Sequence, residues 1–237
     1  MDNTLWNDDR LNALNVQFLS SSPREIMDWG FEQFGDKLVM ATGFGASGIV
    51  LAHIVSGLKP DATVFYLDTD LLFQETYALK DRLSEVLGIT FTPVKSAITL
   101  EKQKEVYGPD LWANSPNTCC YIRKVLPLKR FLADKAAWIT GLRRDQSISR
   151  ASTSVVEWDE ANQLVKLNPL AHWTSEEVWT YIRINELPYN ELHDQGYPSI
   201  GCKPCTRAVR PGEHERAGRW SNHQKMECGI HIQPIAA

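Results

Sequence analysis

Short apolar runs that end in glycine or aspartate recur along this chain, each followed by a segment of helical periodicity. Residues 38–42 run into a cluster holding Gly43, Gly45 and Gly48. An apolar helix pattern through Ile49, Val50, Leu51, Ile54 and Val55 follows. Residues 63–67 end at Asp68 and Asp70, and 73–87 read as a helix. Residues 89–94, 137–142 and 164–167 read as further strands. Residues 173–185 read as a helix with Thr174 as N-cap and Glu176 and Glu177 in its first turn. This alternation predicts an α/β fold, a Rossmann-like parallel sheet with helices on both faces. Ligands in such sheets gather at the carboxyl ends of the strands. Here those ends are 43–48, 68–72 and 143–150. From Pro188 the chain is rich in turn formers, and from 206 apolar periodicity fades. The expected organisation is one domain over 1–205 and a mobile C-terminal tail over 206–237.

Composition narrows the class. A chain of 237 residues with 43% hydrophobic and 23% charged residues has enough apolar surface for a core without disulfide staples. A net charge of −4 argues against a mainly electrostatic nucleic-acid binder. No run of apolar residues is long enough for a membrane span, and the first ten residues lack the pattern of a signal peptide. The expectation is a cytoplasmic protein with reduced thiols and no membrane or nucleic-acid partner. A symmetric homo-oligomer is the default form of assembly.

The five cysteines are Cys119, Cys120, Cys202, Cys205 and Cys228. The first two are adjacent, and Cys202-Lys203-Pro204-Cys205 is a CxxC pair. Two close pairs of thiolates suit zinc or an iron–sulfur cluster; separate buried thiols with a redox CxxC are the plainer alternative. A vicinal pair strains to reach one tetrahedral ion. A cubane offers each sulfur its own iron, so the pattern favours a [4Fe-4S] cluster. Its oxidised core carries two positive charges, and four thiolates leave a double negative charge that needs compensation. Lys124 lies four residues after Cys120, on the same face if this stretch is helical, and Arg123 is adjacent. Cys228 stands apart near the end of the chain, between Lys225 and His231, two residues able to lower a thiol pKa. A thiolate on a movable arm suits covalent catalysis.

Residues 42–48 join a strand to a helix, where backbone N–H groups can cradle an anion, although neither a GxGxxG nor a Walker pattern is present. Asp68 and Asp70 are placed to contact a ribose or to cap a helix. Three arginines, Arg143, Arg144 and Arg150, fall within eight residues at another strand end, suiting phosphate or sulfate recognition. Arg216, Arg219 and Lys225 add basic residues to the tail. His53 and His172 read as packing residues.

Six features together resemble one family: the glycine loop at 42–48, Leu67-Asp68-Thr69, Thr118-Cys119-Cys120, Gly141-Leu142-Arg143-Arg144, Gly201-Cys202-Lys203-Pro204-Cys205 and Glu227-Cys228-Gly229. The chain resembles the iron–sulfur assimilatory adenylyl-sulfate (APS) reductases, bacillus-like and without a fused redox domain, within the APS/PAPS reductase family. The likeness runs from about residue 25 to 231. It implies an adenine-nucleotide α-hydrolase-like fold, APS as substrate, and thioredoxin or glutaredoxin as reductant. It implies Cys119, Cys120, Cys202 and Cys205 as cluster ligands, Cys228 as nucleophile, and Lys124 and His231 beside it. Gly43, Phe44, Gly45, Ala46, Leu67, Asp68, Thr69, Arg143, Arg144, Arg150, Arg216 and Arg219 are the expected substrate contacts. The chain departs from the family's loop at Ala46-Ser47-Gly48, where an acidic residue is common. Rival readings are a reductase of the 3′-phosphorylated analogue (PAPS), alone or with dual specificity, an ATP-dependent thiolation enzyme of the same fold, and a four-cysteine zinc module.

Overall fold

The computed structural model describes residues 3–221, 223, 225 and 227–231, with the backbone alone for 3 and 4. Residues 222, 224, 226 and 232–237 of the expected tail lie outside the described residues. Six strands form one sheet: β1 (Leu38–Ala41), β2 (Val64–Asp68), β3 (Phe91–Lys95), β4 (Ala137–Ile139), β5 (Val156–Asp159) and β6 (Leu164–Leu167). Their order is β3-β2-β1-β4-β6-β5. Every neighbouring pair is parallel except β5 with β6. The chain leaves β1 toward β2 and β3, then returns to lay β4 on β1's other side. The β1–β4 boundary is therefore the topological switch point, where a crevice opens at the carboxyl ends.

Side chains alternate across the sheet with the pleat. Leu38, Met40, Val64, Tyr66, Ala137, Ile139, Val165 and Leu167 join the larger core cluster. Val39, Phe65, Trp138 and Leu164 join the smaller one on the opposite face. On the first face lie α1 (Asp8–Gln17), α2 (Pro23–Phe34), α3 (Ala46–Leu58), α4 (Gln74–Leu87) and, from the second half, α9 (Ser175–Ile184). Central α3 buries Ile49, Val50, Leu51, Ala52, Ile54 and Val55, which explains its nearly unbroken apolar sequence. His53 Nδ1 meets the Tyr181 hydroxyl of α9 at 2.9 Å, in line with the packing role expected for it. The second face receives α8 (Leu126–Leu132) through Leu128 and Leu132, and Ile230 of the C-terminal segment. Between β3 and α8 run α5 (Leu100–Tyr107), α6 (Leu111–Asn114) and α7 (Pro116–Cys120).

The strands and the two long helices expected from periodicity form within a residue or two of their expected bounds, except that β4 ends at Ile139 where the expected strand ran to 142, and Thr174 caps α9 in a capping box with Glu177. Strand β5 and the helices α1, α2, α5, α6, α7 and α8 were not expected. Strand β5 is a short edge strand, and its polar sequence hides it. Asn15 of α1 covers it, accepting from Val156 N at 3.0 Å and donating to Val156 O at 2.9 Å. Helix α2 is set by the Ser22–Glu25 capping box with Pro23 in its first turn. The tail's described part has little regular structure, as expected, but it folds back onto the domain. Val209 N donates to Gly196 O at 2.9 Å and Trp220 N to Cys205 O at 3.0 Å, and Trp220 is buried.

The loop after β1 is tightly specified. Phe44 has a positive φ of 57°, and its N–H donates to Thr42 Oγ1 at 3.1 Å. Its ring packs edge-on against Tyr66 and Phe91. A Cβ on Gly48 would stand 2.5 Å from that same Thr42 Oγ1. Gly48→Ala therefore displaces the hydroxyl that supports the turn. The expected loss is about 1–3 kcal/mol in urea denaturation; an unchanged midpoint would show that Thr42 rotates away freely.

Candidate active site

The switch-point crevice is a cleft of about 320 Å³. One wall is the loop 43–46 and the first turn of α3. No side chain among the described residues caps that helix, and its first residues, Ala46, Ser47 and Gly48, line the cleft with N–H groups open to a ligand. The opposite wall is the arginine loop after β4. Arg143 is buried and donates to Ser47 Oγ at 2.5 Å and to Asp145 Oδ1 at 2.9 Å. Asp145 Oδ2 in turn accepts from Ser175 N at 2.6 Å. Arg143 thus ties the start of α3 to the start of α9.

The four paired cysteines meet beside this cleft. Cys119 and Cys120 end α7, and a π-helical turn, Tyr121–Val125, follows them. Such widened turns are common at functional sites. The turn carries Arg123 and Lys124. Arg123 is fully buried; it donates to Gln103 Oε1 at 2.7 Å and to Thr69 O and Asp70 Oδ2 at 3.1 Å each. The CxxC loop arrives by a bridge between Leu72 and Cys202, and Lys203 N donates to Leu71 O at 2.7 Å. Thr69 Oγ1 lies 3.3 Å from Cys202 Sγ. Cys119, Cys120, Cys202 and Cys205 line one small cavity with Thr69, Arg123 and Lys124.

Electrostatics describe what that cavity holds. Burial and then repulsion from the neighbouring thiolates push Cys119 up to about 12 and Cys205 up to about 11. Burial likewise raises Cys120, against the pull of Lys124. Burial also opposes ionisation of Cys202, but the Lys124 ammonium and the Thr69 hydroxyl outweigh it and the thiol is held low. Four thiolates cannot share this space without a multivalent cationic partner. No group of three or more His, Cys, Asp and Glu side chains among the described residues is arranged to hold a metal ion. A single zinc draws its sulfurs to about 2.3 Å of one point, whereas a cubane spreads them. Cys119, Cys120, Cys202 and Cys205 are the sulfur donors this cavity would offer to a bound metal centre.

Cys228 enters the cleft from the tail, half-buried. The cation coupled to it is Lys124. Burial alone would lower the affinity of Lys124 for its proton, yet Cys202, Cys228 and Cys120 raise it above the ordinary ammonium value. Lys124 thus stands between the cysteine cavity and Cys228. The two residues expected to tune Cys228 do something else. Lys225 Nζ donates to Asn117 Oδ1 and lies over the Trp220 ring. His231 stacks on Trp138, centroids 5.6 Å apart, and its Nδ1 finds no partner among the described residues. Burial, and then the charges of Lys166, Arg150 and Arg216, hold His231 well below the usual imidazole value, so the ring is neutral.

Of the expected substrate contacts, Gly43, Phe44, Gly45, Ala46, Leu67, Arg143, Arg150, Arg216 and Arg219 line the cleft, with Phe44 presenting backbone. Three lie elsewhere. Asp68 accepts from Tyr77 Oη at 2.6 Å and pairs with Lys95 at 3.1 Å. Thr69 belongs to the cysteine cavity. Arg144 Nε donates to Thr153 O at 2.7 Å. The cleft cations also differ in their partners. Arg143 faces Asp145, while Arg150 and Arg216 share Glu227. Arg219 bonds neutral acceptors, Ser199 Oγ and Ile200 O, and stacks over Trp220. Ser47, Trp138 and Glu227 were given no role from sequence. Glu227 alone carried a readable signal, an acid beside Cys228 in a region rich in arginine.

A nucleotide-sized cleft at the switch point of a parallel sheet marks the class of nucleotide-binding α/β proteins, and here a cysteine on the folded-back tail lines it. The pattern of the phosphoadenosine phosphosulfate reductase domain matches residues 37–208, and the chain belongs to that family. Similar proteins include adenosine 5′-phosphosulfate reductase of Salinibacter ruber, 51% identical over 97% of this chain and 91% of that protein. Adenosine 5′-phosphosulfate reductase 2 of Bacillus subtilis is 43% identical over 95% of each. Among solved structures, the phosphoadenylyl-sulfate reductase of Candida auris, a phosphate complex, superposes with a TM-score of 0.74 at 30% identity, covering 86% of this chain and 98% of that one. An FMN adenylyltransferase of Candida glabrata shares the fold, with a TM-score of 0.55 at 15% identity, covering 97% of this chain and 81% of that one.

Neutral His231 gives the docked tail a pH dependence. The undocked ring takes up a proton near pH ~6.5, and the docked ring resists it. Its contribution to stability is complete above that value and is lost as pH falls below it. The urea midpoint of the wild type should fall more between about pH 7.5 and about pH 5.5 than that of His231→Phe. Equal falls would mean the docked ring is already protonated.

Proposed function

We propose that the chain reduces adenosine 5′-phosphosulfate to sulfite and AMP, with Cys228 as nucleophile. The observation that carries this reading is the convergence of Cys228, Lys124 and Arg219 in one cleft. Neither cation has a carboxylate partner among the described hydrogen bonds and ion pairs, and an anionic substrate can take both. The open N–H groups of α3 and the 43–46 loop suit the nucleotide's phosphate.

The Cys228 thiolate attacks the sulfate sulfur. A Cys228 S–S bond forms, the S–O bond to phosphate breaks, and AMP leaves with the electron pair. S-sulfocysteine remains. A thiolate of a dithiol protein, thioredoxin or glutaredoxin, then attacks Cys228 Sγ, and sulfite departs with the electrons of the broken S–S bond. The second thiol of the donor resolves the mixed disulfide and frees Cys228. The two electrons come from the dithiol, which ends as a disulfide. Lys124 neutralises charge on the sulfate as the thiolate approaches. Cys119, Cys120, Cys202 and Cys205 would hold a [4Fe-4S] cluster; bound there, it supplies a compact anionic body that anchors Lys124 beside the substrate. The cytoplasm, which keeps thiols reduced, is the compartment this chemistry needs. No helix among the described residues is long and apolar enough to cross a membrane.

Anaerobic incubation with APS and no reductant should add one sulfo group, mapping to Cys228 by intact and peptide mass, and reduced thioredoxin should remove it. Cys228→Ser should form no adduct and lose about 10³-fold or more of sulfite release, while keeping the brown colour of a cluster. An adduct with PAPS at comparable rate would assign dual specificity. Full activity of Cys228→Ser would refute the nucleophile.

A further inference from the structure

Beside Cys228 sits a carboxylate that this chemistry leaves unused. Glu227 accepts from Arg150 Nε at 2.9 Å and Arg150 Nη2 at 2.7 Å, and from Arg216 Nη2 at 3.1 Å. The side chains are largely withdrawn from solvent: Glu227 is 10% exposed, Arg150 14% and Arg216 16%. We propose that Glu227 is the positioning residue that latches Cys228 into the cleft through Arg150 and Arg216.

The latch joins two parts of the molecule. Arg150 also donates to Gln146 Oε1 at 2.5 Å, and Gln146 accepts from Arg143 N at 3.2 Å and donates to Gly141 O at 3.2 Å. The carboxylate is thereby connected through the arginine loop to the wall that Arg143 fixes on Ser47. On the other side of Cys228, Ile230 packs into the second-face core and His231 stacks on Trp138. Cys228 is held between one ionic anchor and one apolar anchor. Salt weakens the ionic anchor by favouring the separated, solvated charges of the open segment, whereas it does not weaken the apolar anchor. Without the carboxylate, Arg150 and Arg216 are left near each other as like charges, and residue 227 loses its three hydrogen bonds to them.

The consequence for turnover rests on the reading of Cys228 as nucleophile. Attack on substrate needs the latch closed. Transfer of the sulfo group needs Cys228 Sγ within reach of a second protein, so the latch must open. The two half-reactions therefore respond differently to its loss.

The first test needs no substrate. Alkylation of the purified protein with iodoacetamide, mapped by peptide mass, reads the accessibility of each cysteine. Glu227→Gln should raise the rate at Cys228 roughly tenfold or more. High salt should raise the rate in the wild type and have little further effect in Glu227→Gln; Glu227→Asp should keep the salt response. Unchanged labelling at the other four cysteines reports an intact fold. Equal rates at Cys228 in wild type and Glu227→Gln, or rates rising together at all five cysteines, would overturn the latch. The second test follows the half-reactions. With APS and no reductant, Glu227→Gln should form the adduct about tenfold more slowly, while thioredoxin releases sulfite from preformed adduct at least as fast as in the wild type. Equal slowing of both steps would remove the catalytic role. A wild type that forms no adduct, with the alkylation result intact, would count against the proposed reaction and leave the latch standing.

Discussion

A guanidinium with no solvent exposure holds the two halves of the site together. Arg123 spends its donors on Gln103, Thr69 O, Asp70 and Ile98 O. A buried charge is tolerated only when it is paired and bonded in this way. The four acceptors fix three segments. Gln103 belongs to α5, Ile98 to the loop before it, and Thr69 and Asp70 to the corner after β2. The turn that carries the vicinal cysteines is therefore pinned to the end of a central strand. Thr69 extends the linkage, because its hydroxyl meets Cys202 and the neighbouring Leu71 carbonyl accepts from Lys203. Pairs of cysteines far apart in sequence reach one cavity through this corner. Lys124, next to Arg123, is placed by the same turn.

The sheet's second face explains the tail. The first face is covered by α1, α2, α3, α4 and α9, whereas the second receives Leu128, Phe131 and Leu132 of α8. Trp138 lies on this thinner side, and its indole N–H donates to Asp159 at 3.1 Å. Its ring still needs a cover. Ile230 and His231 provide it, so the segment that brings Cys228 into the cleft is also part of the packing. Neutral imidazole suits that place, since the surrounding charges are cations and a protonated ring would add to them.

Much of this was legible in the sequence because it rests on repeating local patterns. The strand leading into the glycine loop, the start of β4 at 137, the buried α3 and the N-cap of α9 all follow from periodicity and capping chemistry. The cysteine pattern and the arginine run were visible as composition at strand ends. What sequence does not carry is the direction of a side chain. Asp68 and Arg144 stand beside cleft residues in the chain, yet their side chains turn to Tyr77 and to Thr153 O. Strand alternation sends neighbours to opposite faces, and a loop has no period to reveal the choice. Strand β5 was missed for a related reason: an edge strand next to solvent needs few apolar residues, and its free groups at Val156 are met by the amide of Asn15 from far along the chain. Lys225 shows the same limit, since adjacency to Cys228 did not decide its partner and Asn117 did.

The nucleophile we propose, Cys228, lies on the tail, and that chemistry would make two demands that a rigid strand end cannot meet together. Displacement at sulfur is helped by a closed site, where fixed dipoles and Lys124 act without competing water. Transfer to a dithiol requires the same sulfur to be approached by another protein. Interactions that are strong, local and reversible suit such a segment. Burial of Ile230 and His231 supplies a contact without direction. The carboxylate of Glu227 between two arginines supplies direction, because a bidentate guanidinium pair fixes both distance and plane. The three other features of the cleft, the open start of α3, the arginine wall and the cysteine cavity, belong to the folded sheet and do not need to move. Division of the cleft into a frame belonging to the sheet and a docked segment carrying Cys228 thus rests on the thin second face and on the charge placed one residue before Cys228.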